Sequence, residues 1–139
     1  RSGGASEPAE QLGDIVHAFG LVSVQIDVDG SLPDDAHVAA AFLQIIREAS
    51  TNATKHAQAH QVQVRLWQEV SDGGAIAHMT VSNDGAPAPV SYREGTGIPG
   101  MRHVAQDLGG SLEVHAAPPF TLEVSIPLSP DVTVQRRSS

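Results

Sequence analysis

The residues best suited to chemistry are four polar side chains near the middle of the chain: Glu48, Asn52, Lys55 and His56. Glu48, Asn52 and His56 are spaced four residues apart, which places side chains in one column on a helix surface. Carboxylate and amide oxygens suit Mg²⁺, and a neighbouring ammonium suits the phosphates that the cation bridges. The pattern therefore indicates a magnesium polyphosphate site. The same residues also populate any solvated helix face, so this segment alone leaves both interpretations open.

A second informative stretch, residues 95–102, has the sequence Gly-Thr-Gly-Ile-Pro-Gly-Met-Arg. Glycines allow close approach of the backbone to a ligand, and a glycine-rich turn that opens a helix directs free amides and a positive dipole end at an anion. Phosphate is the natural ligand of such a turn. The alternative is an ordinary mobile surface loop. The candidate ligand-binding residues here are Gly95, Thr96, Gly97, Ile98 and Gly100.

A third stretch, Asn83, Asp84 and Gly85, ends a predicted strand. Polar side chains and a glycine at the end of a strand are typical of a simple turn when taken alone, and they also occur at ligand sites. We include all three as candidate cofactor-binding residues.

The elements that must position these residues follow from the spacing of apolar side chains. Helical spacing predicts helices over residues 8–18, 34–57 and 99–108. Alternation predicts strands over residues 21–28, 61–67, 75–82, from 112, and 120–126. Residues 83–100 have no periodicity and are predicted to form a long loop.

This order predicts an α+β fold. Hairpin-length connections join the second strand to the third and the fourth to the fifth, so these pairs should be antiparallel. The expected architecture is a two-layer α/β sandwich, a mixed, mostly antiparallel five-stranded sheet with about three helices on one face. We assign residues 8–128 to one domain, residues 1–7 to a cloning remnant or linker, and residues 129–139 to a polar tail.

The composition excludes several classes of partner. The net charge is −8 and only 8 residues are Lys or Arg, so we expect no nucleic acid and no direct membrane contact. The chain has no cysteine, which excludes disulfides and thiolate metal sites. No run approaches the length of a membrane span. We expect a cytoplasmic domain, whose parent protein can still be membrane-anchored.

Taken together and in this order, the three stretches resemble the N box and the two glycine boxes of the ATP-binding catalytic domain of sensor histidine kinases, of the Bergerat (GHKL) fold. The tandem of Glu48-x-x-x-Asn52-x-x-Lys55-His56 with the glycines of residues 95–102 and Leu108-Gly109-Gly110 carries the resemblance. It extends over about residues 21–128 and is closest to the nitrate-sensor and lipid-sensor subclass of two-component kinases.

The resemblance implies roles for these residues. Asn52 is the expected Mg²⁺ ligand, and Glu48 the acid that orients or deprotonates the reacting group or a metal-bound water. Lys55 is expected to reach phosphate oxygens with help from His56. The glycines of residues 95–100 would form the hinge of a lid over the triphosphate. The implied cofactors are therefore ATP and Mg²⁺.

Three positions depart from the family pattern, and all belong to its adenine-binding end. Asn83 stands where the family has an aspartate that accepts a hydrogen bond from the adenine amino group, and Pro87 replaces a glycine. Pro119-Phe120 replaces a glycine-threonine pair, and Thr121 should point to the other face of the sheet unless a bulge intervenes. These departures predict weak nucleotide affinity or rearranged adenine contacts. The competing explanation is a one-residue slip that makes Asp84 the adenine acceptor.

The resemblance also implies an activity and partners. We expect a histidine protein kinase fragment that transfers the γ-phosphoryl of Mg·ATP to a histidine on a dimerisation domain absent from this chain. Its partners would be that phosphoacceptor domain of a homodimeric parent and a response regulator. The isolated fragment should bind nucleotide with little activity. The alternatives are a Bergerat-type serine kinase of a partner regulator, a hydrolytic ATPase, or a degenerate docking module.

Overall fold

The computed structural model describes residues 7–56, 59–84, 97–115 and 119–128. The predicted linker before Glu7 and the predicted tail from residue 129 lie outside these residues. The described residues form three helices and five strands: α1 (Pro8–Gly20), β1 (Gln25–Asp29), α2 (Ala36–His56), β2 (Gln61–Ser71), β3 (Gly74–Asn83), α3 (Ile98–Asp107), β4 (Ser111–His115) and β5 (Phe120–Leu128). None of the helices in this part of the chain is long and apolar enough to cross a membrane.

The five strands form one sheet in the order β1-β2-β3-β5-β4. β1 and β2 are parallel, because α2 connects them. The other neighbours are antiparallel. The predicted mixed, mostly antiparallel five-stranded sheet is therefore confirmed.

One face of the sheet is covered by the helices. Alternate residues of each strand are buried there, including Val62, Val64 and Leu66 of β2. The helices contribute Phe42, Ile45 and other apolar side chains to the same core. The two-layer α+β architecture is confirmed, and the long apolar face of α2 lies at its centre.

The other face of the sheet is mostly polar and carries Trp67 on β2. The Trp67 ring stacks on His78 of the neighbouring strand, with centroids 5.2 Å apart and 19° between the planes. His78 Nδ1 lies 2.9 Å from Ser125 Oγ and its Nε2 lies 2.9 Å from Glu69 Oε1. Such cross-strand pairs stabilise a sheet whose face is not covered by helices.

The predicted start of the first strand at Leu21 is wrong. Helix α1 continues to Gly20, and residues 21–23 form a turn in which the Val24 N–H donates to the Phe19 carbonyl at 3.0 Å. Leu21 and Val22 are 74% and 59% exposed, and Ser23 has φ of 69°. The local hydrogen bonds of the helix end, which apolar patterning does not report, move the start of β1 to Gln25.

The predicted ends of the loop at residues 83–100 are also wrong. Asn83 is the last residue of β3, paired with Val62, and Ile98 already belongs to α3. Residues 85–96 lie outside the described part of the chain.

The hairpin formed by β2 and β3 is longer than predicted, because the two strands continue pairing past the core, up to Ser71 and Gly74. Cross-strand hydrogen bonds can extend a hairpin where no apolar side chain marks it.

Candidate functional site

Helix α2 holds Glu48 and Asn52 at one end of the sheet. The helix starts beside Asp35, whose Oδ1 accepts hydrogen bonds from the backbone N–H groups of His37 at 2.9 Å and Val38 at 3.1 Å. This capping satisfies donors that lack acceptors within the helix. Glu48 is exposed, whereas Asn52, one turn later, is only 7% exposed. The spacing thus places a carboxylate at the rim and an amide inside.

The start of helix α3 meets these two side chains. Gly97 is the N-cap of α3, with φ of 94°, a conformation that glycine adopts without a steric penalty. A Cβ added to Gly97 would lie 3.2 Å from Oε1 of Glu48 and 3.5 Å from Nδ2 of Asn52. The polar column of α2 and the glycine motif, separated by more than forty residues in sequence, therefore meet at one point.

Helix α3 also presents backbone donors at this point. Its first helical hydrogen bond runs from the Met101 N–H to the Gly97 carbonyl at 3.0 Å. The amides of Ile98 and Gly100 precede it and have no acceptor within the helix, while Pro99 has no N–H. Ile98 is 5% exposed and anchors this end in the core. The arrangement gives a fixed helix N-terminus with the partial positive charge that suits an anion.

A small, mostly apolar cavity lies beside the N-terminus of α3. Its wall is formed by α2, α3 and the helix-covered face of the sheet: Ala49, Asn52, Ala53, Val62, Val81, Asn83, Ile98, Met101, Phe120 and Leu122. Among these described wall residues, Asn52 and Asn83 are the polar ones and none is ionisable. An apolar lining with a few polar groups is typical of ligand sites, but the space enclosed here is smaller than an organic ligand needs, so the wall would have to open to admit one.

The register of β3 and β5 decides which side chains reach the cavity. Asn83 pairs with Phe120 and Ser82 pairs with Thr121, without interruption along the two strands. Asn83 and Phe120 therefore face the helices, and they are 8% and 5% exposed. Thr121 faces the open side, where its Oγ1 donates to the Pro119 carbonyl at 2.9 Å. The expectation that Thr121 points away unless the strand bulges is confirmed.

Asp84 has a different role from its neighbour. Its Oδ1 accepts hydrogen bonds from the backbone N–H groups of His60 and Gln61, each at 2.9 Å. The Gln61 bond, followed by the bond from His60, lowers the pKa of Asp84, while partial desolvation opposes the shift. Asp84 is exposed and is absent from the cavity wall. Its carboxylate connects the end of β3 to the start of β2.

The other predicted site residues fall into two groups. Lys55 and Gly100 are exposed and are not part of the described cavity wall. Gly85, Gly95, Thr96 and the side chain of His56 lie outside the described residues. Their predicted roles stay predictions.

Sequence reasoning did not identify most of the apolar wall residues of the cavity, among them Met101 and Phe120. Met101 is 2% exposed and Phe120 is 5% exposed, and both contribute to the wall. A signal for each was present, because Met101 lies on the apolar face of α3 and Phe120 begins the alternation of β5. The alternation identifies the buried face of a strand, but not which buried residues border a cavity.

Residues 37–130 match the sequence model of the family described as "Histidine kinase-, DNA gyrase B-, and HSP90-like ATPase". The chain is 29% identical over 87 residues to the signal transduction histidine-protein kinase/phosphatase UhpB of Salmonella typhimurium. That alignment covers 62% of this chain and 17% of UhpB. The chain therefore spans less than a fifth of the length of this relative.

Two solved structures have the same fold. The ATP-binding domain of PrrB from Mycobacterium tuberculosis superposes with a TM-score of 0.68 at 17% identity, covering 90% of this chain and 96% of that one. The blue-light activated histidine kinase EL346 of Erythrobacter litoralis gives a TM-score of 0.63 at 25% identity, covering 88% of this chain and 42% of that one. The resemblance to catalytic domains of sensor histidine kinases is confirmed, and the chain belongs to the histidine kinase-, DNA gyrase B- and HSP90-like ATPase family.

Proposed function

We propose that this domain binds Mg·ATP between α2, α3 and the sheet, and donates the γ-phosphoryl group to a histidine on a separate dimerisation domain. The observation that carries the proposal is the meeting of Gly97 with Glu48 and Asn52, at 3.2 and 3.5 Å from a Cβ on the glycine. It brings a helix N-terminus that suits an anion next to a carboxylate oxygen of Glu48 and the amide group of Asn52, at one end of an apolar cavity.

The cavity and the helix start would divide the nucleotide between them. The purine would lie against apolar wall residues such as Phe120 and Met101, which would have to move apart to admit it, because both are almost fully buried in this structure. The triphosphate suits the N-terminus of α3, where the amides of Ile98 and Gly100 precede the first helical hydrogen bond. The predicted lid residues Gly95 and Thr96 would continue this phosphate contact.

The donors beside Gly97 fit a magnesium ion. Asn52 can offer its amide oxygen, a hard ligand, when the amide turns, since its Nδ2 is the atom nearest Gly97. Mg²⁺ commonly takes only one or two protein ligands and completes its shell with water and phosphate oxygens, so Asn52 can suffice and Glu48 remains available for the attacking group. When bound, the ion would neutralise charge on the phosphates.

The side chains near this point would then share the chemistry. Glu48, at the exposed rim, would orient or deprotonate the attacking group as it enters from solvent. Lys55, exposed on the same helix, can reach phosphate oxygens with its long side chain. We propose an assisting role for His56 as the family resemblance implies.

Titration of the domain with Mg·ATP by isothermal calorimetry tests the proposal. We expect saturable binding that Asn52→Ala weakens by at least about tenfold, the loss of one to two kcal/mol for a contact to a charged ligand. Gln44→Ala, which changes an exposed amide on the same helix, is the matched control and should bind like the wild type. Absence of binding in the wild type, or equal affinity in Asn52→Ala, would contradict the proposed site.

A non-catalytic docking module is the second candidate, favoured by the absence of any ionisable side chain from the described cavity wall. An assay of phosphoryl transfer from ATP to a histidine separates the kinase from the docking module. The domain is incubated with γ-labelled ATP and a two-component dimerisation domain supplied in trans, and acid-labile label on a histidine supports the kinase. Acid-stable label on serine, or steady phosphate release without transfer, would support a serine kinase or a hydrolytic ATPase instead.

The partners follow from the same proposal. The parent protein would dimerise through its phosphoacceptor domain and pass the phosphoryl group to a response regulator. The nitrate-sensor and lipid-sensor subclass and a cytoplasmic position of the domain, where ATP is available, belong to this proposal.

A further inference from the structure

Three potential metal ligands lie together on the face of the sheet away from the helices, where β4 runs along β5. Glu113 and His115 are two residues apart on β4, so their side chains share a face of the strand. Leu112 beside them is buried under the helices, which puts both polar side chains on the open face. Glu123 of β5 pairs directly with Glu113. The register therefore collects one imidazole and two carboxylates at one point.

The ligand atoms of these three side chains are close to one another. Nε2 of His115 lies 2.9 Å from Oε1 of Glu123 and 4.0 Å from Oε1 of Glu113, and the three ligand atoms all lie within 4.8 Å of one another. In a tetrahedral zinc site with bonds of about 2.0–2.1 Å, the ligand atoms are roughly 3.3 Å apart. The side chains are between 45% and 70% exposed, so rotation of the glutamates can bring the distances to that value.

The pairing of Glu113 with Glu123 is unfavourable without a cation. Like charges directly opposite each other on neighbouring strands destabilise a sheet. In the described part of the chain, the ion-pair partner of both carboxylates is His115. One imidazolium can compensate one negative charge, whereas a divalent cation compensates both.

The mixed donor set favours zinc over magnesium or calcium. Mg²⁺ and Ca²⁺ take oxygen ligands, whereas an imidazole nitrogen suits Zn²⁺. Three protein ligands leave a fourth zinc position for water, which the exposure of this site allows. The chain has no cysteine, so no thiolate site competes for the ion.

We propose that Glu113, His115 and Glu123 form a Zn²⁺ site that ties the short edge strand β4 to β5. The ion would take the place of the proton between Nε2 of His115 and Oε1 of Glu123, which lie at hydrogen-bond distance. The site is separate from the proposed nucleotide site, because Leu122 of the same strand faces the helices and borders the cavity from the opposite side of the sheet. The inference does not depend on the proposed function.

Calorimetric titration of the metal-free chain with Zn²⁺ tests the site, in buffer with excess Mg²⁺ to occupy sites made of oxygen ligands. We expect one saturable site per chain, and Zn²⁺ should raise the thermal midpoint of unfolding because it binds the folded state. His115→Ala should weaken Zn²⁺ by at least about tenfold, since even groups outside the ligand shell change metal affinity by about 10–100-fold. Glu113→Gln keeps the size of the side chain and removes its charge, so it should also weaken Zn²⁺.

The matched control is His103→Ala on α3. Nε2 of His103 lies 3.5 Å from Oδ1 of Asp107, an exposed pair that has no third such ligand among the described residues. This variant should bind Zn²⁺ like the wild type. Circular dichroism verifies that each variant is folded, and Glu113→Gln carries the test if His115→Ala is not.

Three results would overturn the proposal. The first is a wild type without saturable Zn²⁺ binding. The second is wild-type affinity in folded His115→Ala or in folded Glu113→Gln. The third is a loss in His103→Ala as large as that in His115→Ala, which would mean that zinc associates with scattered surface histidines.

Discussion

Asp84 and Gln61 are joined twice, by the Gln61 N–H donating to Asp84 Oδ1 at 2.9 Å and by the Asp84 N–H donating to the Gln61 carbonyl at 3.2 Å. The second N–H held by the carboxylate belongs to His60. One exposed side chain thereby fixes the exit of β3 against the entry of β2. It also fixes the backbone of Asn83, which borders the cavity.

Asp84→Ala should lower the free energy of unfolding by about 1 kcal/mol at neutral pH, the value of charge-assisted bonds discounted for exposure to solvent. The folded state lowers the pKa of this carboxyl, so the contribution is present above the unfolded pKa of about 3.9 and is lost as pH falls through the folded pKa. The difference between wild type and variant in urea denaturation should therefore shrink below about pH 4.

Asp84→Asn is the matched control, because it keeps an acceptor oxygen and removes the charge. Its stability relative to Asp84→Ala should stay constant across the same pH range. A gap between Asp84→Ala and the wild type that persists undiminished at pH 2 would show that the carboxylate charge is not responsible.

Gly97→Ala should weaken Mg·ATP binding by about tenfold or more and cost roughly 1–2 kcal/mol of stability, since φ of 94° is unfavourable for a residue with a Cβ. The added methyl would also come within 3.2 Å of the Glu48 carboxylate. Calorimetric titration and thermal unfolding measure the two effects.

The control is Gly13→Ala, within α1, where an added Cβ would meet nothing within 4 Å. It should raise the free energy of unfolding by up to about 1 kcal/mol without changing the affinity for Mg·ATP. Unaltered binding by folded Gly97→Ala would contradict the placement of phosphate at this glycine.

Ser50→Ala should stabilise the protein by about 1 kcal/mol. The Ser50 hydroxyl is fully buried and has no hydrogen-bond partner among the described residues, and an unsatisfied buried hydroxyl costs free energy that alanine avoids. Thr54→Ala is the comparison, because the Thr54 hydroxyl donates to the Ser50 carbonyl at 2.8 Å. Its removal should not stabilise. Chemical denaturation measures both, and a destabilised Ser50→Ala would indicate that the hydroxyl has a partner after all.

Features that follow from the periodic spacing of side chains along a helix or strand could be predicted from the sequence. Alternation placed Val62 and Val64 on one face of β2, and helical spacing placed Glu48 above Asn52, because these patterns repeat over many residues. The order of elements then gave the sheet its mixed pairing. The polar column and the glycine motif were both recognised, and their chemistry implied that they meet.

Features that depend on single backbone hydrogen bonds could not be predicted. The turn after Gly20 is decided by bonds to the Phe19 and Gly20 carbonyls, which leave no trace in the apolar pattern. The attachment of Asp84 to β2 joins residues 23 and 24 positions apart, so its carboxylate was equally consistent with a place in the site. The distance between Gly97 and Glu48 required the packing of α3 on α2, which no local pattern reports.

Among the described glycines whose φ lies outside the left-handed region, Gly110 should be the one whose replacement by alanine destabilises the protein most. Gly110 follows the end of α3, where its N–H donates to the Ala105 carbonyl and the Gly109 N–H donates to the Gln106 carbonyl, both at 2.9 Å. This pair of bonds forms a Schellman motif. A Cβ on Gly110 would overlap the Ser125 carbonyl oxygen and come within 2.9 Å of the Ile126 Cα.

Both of these contacts are with β5 backbone, which cannot rotate aside, so the variant must separate α3 from the sheet or distort the strand. We expect a loss of about 3 kcal/mol in the free energy of unfolding, the upper range for overpacking. Urea denaturation measures it, with Gly73→Ala as the control, because a Cβ there would meet nothing within 4 Å. The displacement of α3 should also weaken Mg·ATP, since the same helix presents Gly97. A Gly110→Ala variant as stable as the wild type would contradict the close approach of Gly110 to the Ser125 carbonyl of β5.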